Sequence, residues 1–311
     1  MIEKPMQNLI QELHKKYSSH KGGSPASYIP ELSHAHPDHF AIVVTTTQGE
    51  VFKAGDTKEE FSLQSTSKPM TYGFVLEEWG RDYVLSRVGV EPTGEAFNSI
   101  VELEKNTHRP YNPMINSGAI AISSLIKGDN ADQRIGKVLK MFQKYTGREV
   151  SFNQKIFESE KNTAHRNRSI AHLLRHFDVI GDDIDESLDL YFKQCSIMVN
   201  SQDLSLLAAT LANKGMNPMT SVRAIKEQYV GDILSLMFTC GMYDSSGEWA
   251  YNVGIPAKSG VSGAIFGVVP GKMGIAVFSP PIDQKGHSVR GLEVFRDLSQ
   301  HLGLSIFKQG H

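Results

Sequence analysis

GAIFGVVPGKMGIAVFSPP, residues 263–281, holds two apolar runs joined by Pro270-Gly271. Each run has the length and the β-branched, aliphatic content of a strand, and the Pro-Gly pair supplies a reversal, so the stretch reads as a β-hairpin. A second hairpin lies towards the other end of the chain: FAIVVTTTQGEVFKAG, residues 40–55, turns at Gln48-Gly49. Outside these two, Met6, Leu9, Ile10 and Leu13 share one face of a first helix, and a last helix spans roughly 288–302.

Between the hairpins the spacing turns helical. DQRIGKVLKMFQKYTG places Ile135, Val138, Leu139, Phe142 and Tyr145 on one stripe. SQDLSLLAATLANKG opens on Ser201 as the expected N-cap and closes on Lys214-Gly215. Neither outer third of the chain can bury a two-sided sheet alone. The economical architecture is α/β (α+β): one antiparallel sheet built from residues 1–70 plus 240–311, flanked by terminal helices, with 71–239 inserted as an all-helical lobe. The cleft between the two parts is where a site is expected.

The 311 residues are 40% hydrophobic and 21% charged, an ordinary globular composition, with a net charge of −2. No basic field invites nucleic acid or an anionic membrane, and neither partner is expected. The N-terminal MIEKPMQNLIQELHKKYSSH lacks the apolar core of a signal peptide, and no run approaches a membrane span, so a cytoplasmic protein is expected. The two cysteines, Cys195 and Cys240, have apolar neighbours and no C-x-x-C spacing, and read as buried, reduced thiols.

One string suggests a metal centre. HAHPDH, residues 34–39, matches the H-x-H-x-D-H ligands of a class of metal-dependent hydrolases. Such ligands need a rigid strand leading into them. Here the lead-in YIPELS is polar and contains Pro30, and the strand follows the string. The later histidines His108, His165, His172 and His176 do not end strand-like runs. A solvated loop, with no metal and no cofactor, is the expectation.

The chemistry lies instead in FSLQSTSKPMTYGF, residues 61–74, which contains Ser65-x-x-Lys68. The same pattern occurs at Ser18…Lys21 and Ser124…Lys127, but those sit at ordinary helix ends. Around Ser65, Pro69 restricts where the helix can begin, because proline fits only among the first helical positions. The helix is expected to start at about Ser65 or Thr66, placing Ser65 at the positive end of its dipole with Lys68 one turn on. A serine hydroxyl needs a base, and lysine serves only when its pKa is lowered from about 10.4. Further on, Lys258-Ser259-Gly260 begins a C-terminal strand. S-x-x-K and K-T-G occur together in penicillin-recognising serine enzymes, but their S-D-N element is missing here. In its place stands YNPMINSGAIAISS, where Asn112 and Asn116 bracket Pro113 and Gly118 allows close backbone approach.

QSTSKP, NPMINSGAI, ESEKNTAHRNRS, YFKQCSI, CGMYDSSGEW and GIPAKSGVSGAI follow one another in the order of the serine-dependent glutaminases, which the chain resembles from about Tyr28 to the C-terminal hairpin. The resemblance implies a β-lactamase/transpeptidase-like fold and hydrolysis of L-glutamine to L-glutamate and ammonia. It implies Ser65 as nucleophile, Lys68 as base and Tyr243 as proton relay, a role for which a phenol of pKa near 10 needs a neighbouring ammonium. The backbone N–H groups of Ser65 and Val261 would form the oxyanion hole. Asn116, Glu160, Asn167 and Tyr191 would hold the substrate's charged head, with Tyr28 closing over it. By its residue type alone, Glu160 reads as a solvated loop charge. Residues 89–112 match in position a loop that gates the site in that family, and a homotetramer or dimer is implied. Two other readings are a penicillin-recognising serine hydrolase or esterase of the same fold, and a non-catalytic glutamine sensor.

Overall fold

The computed structural model describes residues 3–94 and 108–308. The chain starts with helices α1 (Glu3–Ser18) and α2 (Pro30–Ser33), then the hairpin β1 (Ala41–Thr46) and β2 (Val51–Gly55), then the short β3 (Phe61–Ser62). A 3₁₀ turn, Gln64–Ser67, leads into α3 (Lys68–Trp79) and α4 (Arg81–Arg87). Next come α5 (Asn116–Ser124), α6 (Ala131–Thr146), α7 (Gln154–Thr163), α8 (His165–His176) and α9 (Ile184–Cys195). After β4 (Met198–Val199) follow α10 (Ser201–Ala212), α11 (Glu227–Cys240), a 3₁₀ turn at Tyr243–Ser245 and α12 (Ser246–Asn252). The chain closes with β5 (Ala257–Gly260), β6 (Ala264–Val269), β7 (Met273–Phe278) and α13 (Val289–Leu302).

Five strands form one antiparallel sheet in the order β2-β1-β7-β6-β5. Its centre is where the chain ends meet, since Ala41 pairs with Phe278 and Thr46 with Met273. Side chains alternate between two cores, as the two-residue period of a strand requires. Ile42, Val44, Ile265, Ile275 and Val277 join Ile10 and Leu13 of α1 and Val294, Phe295 and Leu298 of α13 in one. Ala264, Phe266, Val268, Ala276 and Phe278 face Leu204, Leu207 and Leu211 of α10 in the other, which continues into the helical block.

Helix α10 lies very close to the sheet because β7 carries a glycine at the contact. A Cβ on Gly274 would stand 2.1 Å from the Ala209 nitrogen and 2.4 Å from the Ser205 carbonyl oxygen, atoms of the helix backbone that cannot give way. Gly274→Val is therefore expected to lower the stability of the fold by about 3 kcal/mol or more, an overpacking cost at the upper end of its range. Urea unfolding at matched m-values measures it, and a loss below about 1 kcal/mol would contradict this packing.

Two helix starts differ from the sequence expectation. The cap of α10 is Asn200 rather than Ser201: its side chain accepts from the Gln202 and Asp203 amides, while the Asp203 carboxylate accepts from the Asn200 amide. Asp203 is a better closing partner for an Asn cap than Ser201 could recruit, and Arg148 locks it with an ion pair. Helix α3 begins at Lys68, not at Ser65 or Thr66. The chain reaches Pro69 through the 3₁₀ turn, which holds Ser65 just outside the α-helix.

The HAHPDH string is a loop that leaves α2 and enters β1. The guanidinium of Arg290, on α13, gathers its backbone, donating to the carbonyls of Pro37, Asp38 and His39. The imidazoles of His36 and His39 stack on each other at 5.1 Å. Among the described residues no group of three or more His, Cys, Asp and Glu side chains could hold a metal ion, and no helix is long and apolar enough to cross a membrane. Of the segment 89–112, residues 95–107 lie outside the described residues. Its two flanks run side by side, with the Gly89 and Glu91 amides donating to the carbonyls of Pro110 and Tyr111.

Candidate active site

Seven of the nine residues singled out from the sequence line one cavity of about 300 Å³, namely Tyr28, Ser65, Asn116, Glu160, Asn167, Tyr191 and Val261. That is the small end of the roughly 300–1,000 Å³ range of small-molecule sites. The other two, Lys68 and Tyr243, stand directly behind Ser65.

Each residue owes its place to a different element. Ser65 sits in the 3₁₀ turn, and Lys68, the first residue of α3, sends its ammonium nitrogen back to within 3.0 Å of the Ser65 hydroxyl. The same Nζ donates to Asn116 Oδ1 at 2.8 Å. Asn116 opens α5, brought here by the tight NPMINSG turn: a Cβ on Gly118 would stand 1.9 Å from the Asn112 carbonyl oxygen. The Asn116 amide then continues the chain of polar contacts, accepting from the Tyr191 hydroxyl at 3.2 Å and donating to Asn167 Oδ1 at 3.0 Å.

Glu160 is not a loop charge. It lies on α7 beside Ile156 and Phe157, the buried face of that helix. The Tyr28 hydroxyl lies 2.9 Å from its carboxylate and 3.0 Å from Gln64 Oε1. Burial raises the Glu160 pKa, against the lowering effect of bonds from Tyr28 and Gln64. A buried carboxylate facing an open cavity is costly until a cation meets it.

The electrostatics of the reactive end are set by burial. Lys68 is 1% exposed, and its pKa is pushed down to about 8 because the charged form has lost its water. Burial drives the Tyr243 phenol the other way, upward, although a hydrogen bond with Ser65 partly offsets this. The nearby ammonium groups do not reverse it. Lys68 Nζ is 5.8 Å and Lys258 Nζ 3.9 Å from the Tyr243 ring centroid, but both lysines are themselves driven towards neutrality by burial. Burial thus favours the protonated form of the Tyr243 phenol.

Two residues beside the predicted set matter to this geometry. Gln64 precedes Ser65 at φ +49°, and Tyr243 has φ +53°, both in the left-handed region that non-glycine residues avoid at about 1–3 kcal/mol each. One of these residues leads directly into Ser65 and the other shares a hydrogen bond with it. Lys258, noted only as part of K-S-G, is fully buried, and its Nζ donates to the carbonyls of Gly241 and Ser259 at 2.9 and 2.8 Å. It ties the segment carrying Tyr243 to the strand that leads to Val261. All four residues of β5 are buried, so strand alternation does not single out Lys258, and the positive φ of Gln64 and Tyr243 had no signal in composition or spacing either.

The two other S-x-x-K matches lie at helix ends, Ser18 Oγ donating to the His14 carbonyl and Ser124 Oγ to that of Ala121. Cys195 and Cys240 are buried free thiols. Cys195 lines the cavity floor, where burial pushes its pKa up to about 12.

Residues 23–307 match the family model described as Glutaminase. The chain is 56% identical over 304 residues to a glutaminase of Trichormus variabilis, covering 98% of this chain and 91% of that one. Its structure is similar to that of a probable glutaminase, ybaS, with a TM-score of 0.96 at 40% identity and 99% of each chain covered. It is also similar to the L-glutamate binding form of Mglu, with a TM-score of 0.93 at 38% identity, covering 99% of this chain and 69% of that one.

Proposed function

The chain belongs to the glutaminase family and hydrolyses L-glutamine to L-glutamate and ammonia; from that premise we propose that Ser65 is the nucleophile, Lys68 its base and Tyr243 the proton relay. Membership sets aside the other two readings, a penicillin-recognising hydrolase and a non-catalytic sensor. The observation that carries the proposal is the 3.0 Å approach of Lys68 Nζ to Ser65 Oγ, made by an amine whose burial lowers its pKa to about 8.

As the neutral amine, Lys68 accepts the Ser65 proton while Oγ bonds to the carboxamide carbon. The backbone N–H groups of Ser65 and Val261 stabilise the resulting oxyanion; one such donor is worth roughly 10²–10³-fold in rate. Tyr243 hands its proton to the departing nitrogen, the C–N bond breaks, and ammonia leaves behind a glutamyl ester on Ser65. Lys68 returns the transferred proton through Tyr243. Water then adds to the ester along the reverse path, with the same groups exchanging acid and base roles, and frees glutamate.

Glu160 pairs with the substrate's α-ammonium, which supplies the cation that its buried carboxylate lacks. Asn116, Asn167 and Tyr191 serve the carboxylate and carboxamide, and Tyr28 covers the pocket from above. That the similar structure of Mglu has an L-glutamate binding form supports the reading, since glutamate is the product. Action in the cytoplasm as a homotetramer or dimer, without nucleic acid or membrane, belongs to the same reading and rests on the family and on the sequence.

The test is to trap the ester. Wild-type protein mixed with glutamine, quenched in acid within milliseconds and digested, should carry one glutamyl group on the peptide containing Ser65. A glutamyl group on another residue, or full turnover with no covalent species on any timescale down to the first turnover, rejects the serine mechanism.

A further inference from the structure

His287 is the last residue of a tight loop after the sheet. Asp283 organises that loop: its carboxylate accepts the amides of Lys285 and His287, both at 2.9 Å, and its own amide donates to the His287 carbonyl at 2.8 Å. Just before it, Ile282 pairs with both Ser24 and Ser288, which fixes the loop to the segment leading to Tyr28. The imidazole is driven inward, 0% exposed, against the rear of the active site.

There its Nδ1 lies 2.9 Å from Ser259 Oγ. The Ser259 carbonyl is one of the two oxygens that hold Lys258 Nζ, and Lys258 Nζ lies 3.9 Å from the Tyr243 ring centroid. The imidazole is also nearly parallel to the phenol, but the centroids are 6.0 Å apart. That spacing is near the outer limit of aromatic pairing, so the hydrogen bond is the stronger link.

The placement has a cost. Among the described residues Nε2 has no hydrogen-bond partner although it is buried, a penalty of about 1–3 kcal/mol. A buried polar side chain kept at such a cost requires a reason. The charged and titratable groups around the ring are Asp283 and Lys285 of its own loop, Lys258 of β5, and Asp244 beside Tyr243 in the 3₁₀ turn. Burial, helped by Lys258, pushes the imidazole pKa down to about 4, so the ring carries no positive charge beside the phenol at the pH where Lys68 titrates.

We propose that His287 is a positioning residue for the hydrolysis, holding Lys258 against the ring of Tyr243 through its bond to Ser259. The inference rests on the reading of Tyr243 as the relay.

Two substitutions separate this role from simple core filling. His287→Leu keeps most of the volume and removes the bond; His287→Asn is smaller but keeps a group that can bond Ser259. With glutamine as substrate, His287→Leu is expected to lower kcat about tenfold with KM within twofold, the effect of a displacement smaller than the ångström that costs roughly a hundredfold. His287→Asn should stay within threefold of wild type. Ser259→Ala cuts the same bond from the other side and should match His287→Leu, which decides the matter if that variant does not fold. In a Tyr243→Phe background His287→Leu should cause no further loss. Wild-type kcat in His287→Leu and Ser259→Ala, equal losses in Leu and Asn, or a further tenfold loss in the Tyr243→Phe background would overturn the proposal. Full activity in Tyr243→Phe alone would overturn the relay reading and this inference with it, whereas a dead Tyr243→Phe beside fully active His287 variants overturns this inference only.

Discussion

Ser65→Ala is expected to lower kcat for glutamine by roughly ten-thousand- to million-fold, the loss seen when a serine nucleophile is removed from an otherwise intact site. The fold should survive, because the change deletes a single oxygen from a packed turn and breaks bonds to Lys68 and Tyr243 without opening a large cavity. Glutamate binding, measured by calorimetry, should change little, since the head group is held by other residues. Excess EDTA should leave the wild-type rate unaltered. A variant retaining more than about one part in a hundred of wild-type turnover would eliminate Ser65 as nucleophile on these magnitudes. If activity were lost to EDTA and kept in the variant, the histidines of the 34–39 loop would have to be reconsidered.

The second large effect concerns Lys68 and has a direction in pH. On the proposed mechanism the competent form is the neutral amine, so the fraction able to accept the Ser65 proton falls tenfold for each unit below its pKa. With that pKa lowered by burial to about 8, kcat/KM should climb with pH and level off above about 8. Lys68→Met should lose roughly 10²–10⁴-fold and, with it, this rising limb. Lys68→Arg is the sharper experiment: it retains a cation beside Ser65 but cannot give up its proton, so it should be as inactive as Met. Should Arg support a tenth of the wild-type rate, or should the limb near pH 8 persist in Lys68→Met, lysine acts as a charge and the base lies elsewhere.

Much of this could be read before any coordinates. The hairpins announced themselves by β-branched runs around Gly-containing turns, and both formed where expected, with Gly49 and Gly271 at positive φ. Ser65 and Lys68 stood out because Pro69 restricts where the helix can begin, although it begins at Lys68 rather than at Ser65 or Thr66. What escaped is what depends on long-range packing. β3 and β4 pair over two residues each, too few for a two-residue period to register. Glu160 resembled a surface charge because only its spacing from Ile156 and Phe157 sets it on a buried helix face, and acidic residues are rarely found there. His287 and Lys258 gained their surroundings from segments remote in sequence. The family resemblance supplied Asn116, Asn167 and Tyr191; no local property of those residues would have selected them.

The pairing of Ala41 with Phe278 has a consequence for how the protein is made. Strand β1 leaves the ribosome early, yet its neighbour β7 is among the last segments translated. At about 5–20 residues per second the interval is on the order of ten to fifty seconds. Throughout that time the β1–β2 hairpin carries an open, apolar edge, the kind of edge that recruits foreign strands. The helical block can collapse meanwhile, but Ser65 must wait for Tyr243 and Val261 to arrive with the last third of the chain. A chain cut just before β7 therefore holds the Ser65 turn but leaves β1 without the strand that covers its edge, and is expected to be inactive.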